Sequence, residues 1–230
     1  MKRPSTAVVF DVDGVLLDLT PAEEGAFFAP FETLYGITGL SRDWDSYRVR
    51  NDEDIIKEIL ERHFGRVPGA DEITQHLAEY CAGLKDGYRC GQLKVELIPG
   101  APELLGALAS VPGLAIGTAT ANILSAAEIR LSEVGLWESV RVYACGADGG
   151  GHKSEVLSRV IERLAVPRER IVYVGDNLND LAAGRATGVH FIGFAVDASR
   201  RNRLTAAGAE RVSGDHRTTL DLIGTALGAL

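Results

Sequence analysis

Ala7-Val8-Val9-Phe10-Asp11-Val12-Asp13-Gly14-Val15-Leu16-Leu17-Asp18 is the stretch that decides how the rest of the chain is read. Ala7 to Phe10 is an unbroken apolar run, the pattern of a strand buried on both faces, and two carboxylates follow at its carboxyl end. In open parallel sheets, ligands bind just outside the carboxyl ends of the strands. Aspartates spaced i and i+2 at such an end can face one small volume if the loop turns, and Gly14 permits the turn. Carboxylates held together beside apolar surface lose hydration and repel, so a cation or a proton must offset them. Asp11 and Asp13 therefore point to a metal site, to nucleophilic chemistry, or to both. The same spacing recurs at Asp43-Trp44-Asp45 and Asp52-Glu53-Asp54 without a preceding apolar strand. Those acids read as solvated charge runs on a helix or loop.

Beyond Asp18 the pattern turns helical. Thr20-Pro21-Ala22-Glu23 is a capping box with proline at the first helical position, which starts a helix. Apolar residues then recur at helical spacing in Phe27, Phe31, Leu34 and Tyr35, again in Ile55, Ile56, Ile59 and Leu60, and again in Ile73, Leu77, Tyr80, Cys81 and Leu84. Nothing between about Thr20 and Leu97 reads as a strand. Pro99-Gly100-Ala101-Pro102 is a turn or hinge signal. After it, short apolar runs at Leu114 to Gly117, Val140 to Ala144, Ile171 to Val174 and Val189 to Ala195 alternate with helices expected near 122–134, 153–165 and 178–187. Alternation of this kind predicts an α/β fold, a doubly wound parallel sheet with right-handed crossovers. The first strand joins that sheet, because its backbone groups need partners. The expected domains are an α/β core from residues 1–18 and 99–230 and a small all-helical insertion from 19–98.

With 230 residues and a formal net charge of -8, the chain can bury a sizeable core and offers no basic face for nucleic acid or an anionic membrane. Ala7 to Phe10 is too short for a signal-peptide core, and no run reaches transmembrane length. The cysteines, Cys81, Cys90 and Cys145, are odd in number and lack CxxC spacing, which argues against a disulfide framework or a zinc site. The histidines, His63, His76, His152, His190 and His216, form no ligand pair at helical spacing and read as surface or core residues. A reducing, cytoplasmic setting is expected.

Each later strand ends in polar residues, and parallel strands bring such ends together. Leu114 to Gly117 leads into Thr118-Ala119-Thr120-Ala121-Asn122, which places hydroxyls and an amide just ahead of a helix, where an anion can bind or the side chains can cap. Thr118 lies nearest the strand. The third strand leads into Cys145-Gly146-Ala147-Asp148-Gly149-Gly150-Gly151-His152-Lys153-Ser154. This misses a Walker loop, because His152 stands where the lysine must follow the glycine. Lys153, opening a helix at the sheet edge, can instead neutralise phosphate and hold a carboxylate. Ile171 to Val174 runs into Gly175-Asp176-Asn177-Leu178-Asn179-Asp180, with acids at i and i+4. Together with Asp11 and Asp13, Asp176 and Asp180 make an oxygen-rich cluster suited to Mg²⁺.

These motifs resemble, in order and across essentially the whole chain, those of the haloacid dehalogenase-like superfamily. Asp11 to Val15 resembles its first motif, Thr118 its second, Lys153 its third and Gly175 to Asp180 its fourth. The helical insertion is similar to the C1 cap of the subfamily containing phosphoglycolate phosphatase and β-phosphoglucomutase. The resemblance implies a Mg²⁺-dependent phosphatase acting on a small phosphorylated metabolite. It makes Asp11 the nucleophile that forms an aspartyl-phosphate and Asp13 the general acid and base. Thr118, Ala119 and Lys153 would bind the phosphoryl group. The metal would be held by Asp11, Asp13 through its carbonyl, and Asp176, with Asp180 orienting Lys153 or a metal-bound water. Asp13 also separates the chain from the superfamily's carbon-halogen hydrolases, which lack it, and from its ion pumps, which carry threonine there. Ala119 stands where asparagine is frequent, and Lys153 lacks the proline that often follows it. A phosphomutase with the same intermediate and a non-catalytic scaffold are the competing expectations. In the insertion, the segment from Ser41 to Asp52 carries Arg48 and Asn51, which are candidates to contact the substrate or to face solvent.

Overall fold

The computed structural model describes residues 3–228, so the extremities of the expected core span, 1–2 and 229–230, lie outside the described residues. Six strands form one parallel sheet: β1 (Thr6–Phe10), β4 (Leu114–Ala119), β5 (Tyr143–Cys145), β6 (Ile171–Gly175), β7 (His190–Phe194) and β8 (Val212–Ser213), in the order β5-β4-β1-β6-β7-β8. The chain moves outward through β4 and β5 on one side of β1, then returns to build β6, β7 and β8 on the other. That reversal makes β1 the switch point at which the crevice for a ligand opens. Phe10 pairs with Thr118 on one side and Val174 on the other, so the ends of β1, β4 and β6 lie at one level.

Alternate residues of β1 serve opposite layers, as the period of two demands. Val8 and Phe10 pack with Leu104, Leu105 and Leu108 of α4 (Ala101–Ala109) and Ile223 of α10 (His216–Leu227). Ala7 and Val9 pack with Val156, Leu157 and Val160 of α7 (Lys153–Leu164) and Ala183 of α8 (Leu178–Thr187). Each fully buried valine, leucine, isoleucine or phenylalanine among them contributes about 1.5–3 kcal/mol of hydrophobic stabilisation.

Between β1 and β4 lie β2 (Leu17–Asp18), α1 (Pro21–Tyr35), α2 (Asp52–Phe64), α3 (Ala70–Arg89) and β3 (Glu96–Leu97). Phe27 and Phe31 of α1, Ile56 and Leu60 of α2 and Tyr80 and Leu84 of α3 make a separate apolar cluster. Ile123, Ala126 and Ile129 join it from the start of α5 (Leu124–Glu133), so that helix packs against both the sheet side and the insertion. The capping box at Thr20 is present in full and starts α1 as expected.

The structure corrects the strand reading in places. Leu17 and Asp18 pair antiparallel with Leu97 and Glu96, a ribbon where no strand was expected, and two-residue strands are too short to show periodicity. The run expected at Val140 to Ala144 splits into α6 (Trp137–Val140) and β5. α9 (Ala198–Ala206), α10 and β8 were not anticipated. No helix among the described residues is long and apolar enough to cross a membrane.

Candidate active site

Asp11 extends the ladder of β1, its N–H donating to the Val174 carbonyl at 2.9 Å. The residue is 4% exposed, and Oδ1 accepts from the Val12 amide and from Lys153 Nζ, each at 2.7 Å. Burial raises this carboxyl well above its ordinary range; Lys153 pulls it down, while Asp180 and Asp176 push it further up. Lys153 occupies the first position of α7 and reaches Asp180 Oδ1 at 3.2 Å as well. Burial opposes its charge, but Asp11 and Asp180 outweigh that and hold the ammonium protonated.

Asp180 is fully buried and its oxygens are engaged throughout. Oδ1 accepts from Tyr173 Oη at 2.6 Å, and Oδ2 accepts from the amides of Asp176 and Asn177 at 3.1 and 3.2 Å. The last bond completes the capping box that Asn177 sets at the start of α8. Gly175 is required here, because a Cβ at that position would lie 2.3 Å from Asp180 Cβ. Gly14, at φ +74°, is required too: a Cβ there would lie 2.3 Å from Asp176 Oδ2.

Carboxylate oxygens of Asp11, Asp176 and Asp180 lie within 4.8 Å of one another. Burial, then the charge of Asp180, pushes the Asp176 carboxyl upward, so the cluster is short of positive charge. An all-oxygen donor set in that condition fits a hard divalent cation. The Asp13 carboxylate is outside this cluster and is bound instead by Arg130 Nη1 at 2.7 Å.

Thr118 is fully buried at the end of β4, and its Oγ1 meets no hydrogen-bond partner among the described residues. Ala119 closes the same strand, fully buried. Thr120 and Asn122 do not cap α5. Its first amides are taken by carboxylates from elsewhere, Ile123 N–H by Asp52 Oδ2 at 2.9 Å and Leu124 N–H by Asp148 Oδ2 at 3.0 Å.

That bond from Asp52 belongs to a clasp. Glu53 Oε2 accepts from the Gly149 amide at 2.7 Å and Asp54 Oδ2 from the Gly151 amide at 2.8 Å. The reading of Asp52-Glu53-Asp54 as a solvated run is thereby overturned, since the negative residues at the amino end of α2 dock onto the loops that follow β4 and β5. Asp52 is 5% exposed, and burial pushes its carboxyl up to about 7. Asn51 sits in the clasp as the N-cap of α2, donating to the Gly151 carbonyl at 2.8 Å. Arg48 is paired with Glu58 and Glu61 at 3.4 and 2.8 Å.

A cavity of about 1010 Å³ opens above these groups, with Asp11, Asp13, Lys153 and Asp176 on the sheet side and Arg48 and Asn51 on the helical side. The reading from sequence did not single out Arg130, which is fully buried and binds Asp13, Asn122, Glu23 and the Asp18 carbonyl. The signal was there: Arg130 lies four residues after Ala126 on the buried face of α5. Arg200 of α9, which reaches Asp176 Oδ2 at 3.3 Å, had no comparable signal.

A model of the haloacid dehalogenase-like hydrolase family matches residues 8–194. The N-acetylmuramic acid 6-phosphate phosphatase of Pseudomonas aeruginosa is 29% identical over 195 residues, covering 79% of this chain and 78% of the relative. A phosphoglycolate phosphatase of Escherichia coli is 26% identical over 207 residues, covering 81% of this chain and 80% of the relative. A hydrolase from Pseudomonas syringae superposes with a TM-score of 0.69 at 19% identity, covering 96% of this chain and 98% of that one, a likeness of fold.

Proposed function

The chain belongs to the haloacid dehalogenase-like hydrolase family and is a phosphoric monoester hydrolase, and we propose that it cleaves a small phosphorylated metabolite through an aspartyl-phosphate on Asp11. The observation that carries this reading is Asp11 itself, nearly buried at the cavity floor with Lys153 Nζ at 2.7 Å and two further carboxylates beside it.

Asp11 attacks phosphorus through the oxygen not held by Lys153, and the bond from phosphorus to the leaving oxygen breaks as the new one forms. Asp13 gives its proton to the leaving oxygen. A water then attacks the aspartyl-phosphate, Asp13 takes the water's proton, and the Asp11–phosphorus bond breaks to return the carboxylate and free phosphate. Lys153 neutralises a phosphoryl oxygen, and the unpartnered Thr118 Oγ1 can donate to another. The Ala119 backbone is the further contact the resemblance implies. Asp180 holds Lys153 in line. Asp11, Asp176 and Asp180, with the Asp13 carbonyl, would hold Mg²⁺, which when bound supplies positive charge against the transferring phosphoryl oxygens.

Residues 19–98 act as a cap over the core of 1–18 and 99–230. Hinges near Leu19 to Pro21 and Ile98 to Gly100, next to the ribbon of β2 and β3, let it close and exclude water from the intermediate. Arg48 and Asn51 face the substrate from the cap side.

The test is turnover of an aryl phosphate and of a panel of phosphorylated metabolites by Asp11→Asn, reading free phosphate and isomerised product together. Loss of turnover with the fold intact is expected, with free phosphate as the wild-type product. Full residual activity in the variant overturns the mechanism. An isomer with little free phosphate reassigns the chain as a phosphomutase.

A further inference from the structure

We propose that Arg130 is a positioning residue that ties the Asp13 carboxylate to the hinge of the cap, so that Asp13 is held in place while the first turn of α1 is docked. This rests on the reading of Asp13 as the acid and base. Arg130 projects from α5 into the space where the loop after β1, the outgoing linker and α1 meet. Nη1 donates to Asp13 Oδ1 at 2.7 Å and to Asn122 Oδ1 at 3.3 Å, Nε to Glu23 Oε1 at 3.0 Å, and Nη2 to the Asp18 carbonyl at 3.4 Å. Among the described residues no other group binds the Asp13 side chain.

Glu23 belongs to the hinge. Its Oε2 accepts from Thr20 N–H at 3.0 Å and Thr20 Oγ1 at 2.9 Å, closing the capping box where the chain leaves the ribbon for the cap. Its Oε1 also accepts from Tyr88 Oη near the end of α3. One guanidinium thus touches the loop that carries Asp13 and, through Glu23, both the first and third helices of the cap.

The coupling follows from the shape and burial of that group. A guanidinium is a rigid planar fork, so its bonds to Asp13 and Glu23 share one orientation and cannot be adjusted separately. It is also fully buried, and its charge is tolerated only while carboxylates face it. Lifting Glu23 away as the cap opens leaves the fork free to turn, and Asp13 turns with it. Arg130 itself stays with the core, because Leu131 beside it packs under the sheet.

The experiment measures the rate of the first phosphoryl transfer with two aryl esters. 2,4-Dinitrophenyl phosphate has a leaving oxygen that needs no proton; phenyl phosphate has one that does. Arg130→Met is expected to slow phenyl phosphate by about a hundred-fold, the scale of a lost general acid, and dinitrophenyl phosphate by a few-fold at most. Glu23→Gln should give the same selectivity with a smaller loss, and Arg130→Met should add nothing in an Asp13→Asn background. Equal losses on both esters, or additivity with Asp13→Asn, overturn the proposal. Should Arg130→Met fail to fold, Arg130→Lys decides: it keeps the charge without the fork, so a selective loss supports the coupling and an even loss overturns it. An Asp13→Asn enzyme that keeps its rate on phenyl phosphate removes the reading of Asp13 itself, a failure distinct from that of Arg130.

Discussion

Asp52 shows how a side chain's partner changes its chemistry. Its carboxylate caps a helix 71 residues away in sequence, and in that dry position its carboxyl rises to about 7 from an ordinary 3.8. The sign of the consequence is fixed by linkage. Between about pH 4 and about pH 7 the unfolded chain gives up this proton while the folded one keeps it, so stability falls as pH rises through that window. At about 1.4 kcal/mol per pH unit the full effect is at most about 4 kcal/mol. Asp52→Asn keeps an oxygen to accept the Ile123 amide and cannot ionise. Its thermal unfolding midpoint should therefore fall less between pH 5 and pH 7.5 than that of the wild type, and an identical slope in both proteins would count against this account. At this scale, Asp11, Asp13 and Asp176 were legible because each sits where an apolar run ends, and Lys153 because it opens a helix behind a glycine-rich loop. Asp52 was not, because its partner is distant in sequence and an acid at a helix start looks the same whether it meets water or another helix; Arg130 left a signal in its place on the buried face of α5, but its partners are distant in sequence too.

Among the elements, α2 carries the consequence that local patterning concealed. Its hydrophobic face was readable from Ile55, Ile56, Ile59 and Leu60, and these residues do join one apolar cluster with α1 and α3. Its amino terminus ties the helical insertion to the loop ahead of α7 through the Gly149 and Gly151 amides. Hydrogen bonds to charged groups contribute about 1.5–3 kcal/mol each, so removing two should open the clasp. Replacing Glu53 and Asp54 together with alanine is expected to raise KM several-fold and to speed proteolytic cleavage of the linkers near Leu19 and Ile98. Unchanged KM with unchanged cleavage would mean that the clasp does not hold the cap. The long helices and buried strands could be read because their periodicity extends over several turns or pleats. β2, β3 and β8 could not, since each is two residues long and exists only through its partner strand.

In the whole molecule, the carboxylates of Asp11, Asp176 and Asp180 gather at one edge of the sheet. The chain carries a formal net charge of -8, yet Lys153, Arg200 and Arg130 are set directly against carboxylates at the sheet's carboxyl edge. The strand order that converges those carboxylates was legible as a class, a doubly wound parallel sheet. The exact order was not, because nothing local tells β6 to lie beside β1. Gathering acids at one crevice costs stability that a bound cation returns. Adding Mg²⁺ should raise the unfolding midpoint of the wild type, by about 2.7 kcal/mol of stabilisation at a hundred-fold excess over its dissociation constant. Asp176→Asn should be more stable without the ion and respond little to it; a full response in that variant would remove Asp176 from the ligand set.

The central claim is that phosphate passes through Asp11. Peptide mapping by mass spectrometry, after acid quenching during turnover of an aryl phosphate, tests it most directly. The account predicts one phosphoryl group, on Asp11, absent when Asp11→Asn is treated alike. A phosphoryl group on any other residue, or wild-type turnover by Asp11→Asn, would contradict it.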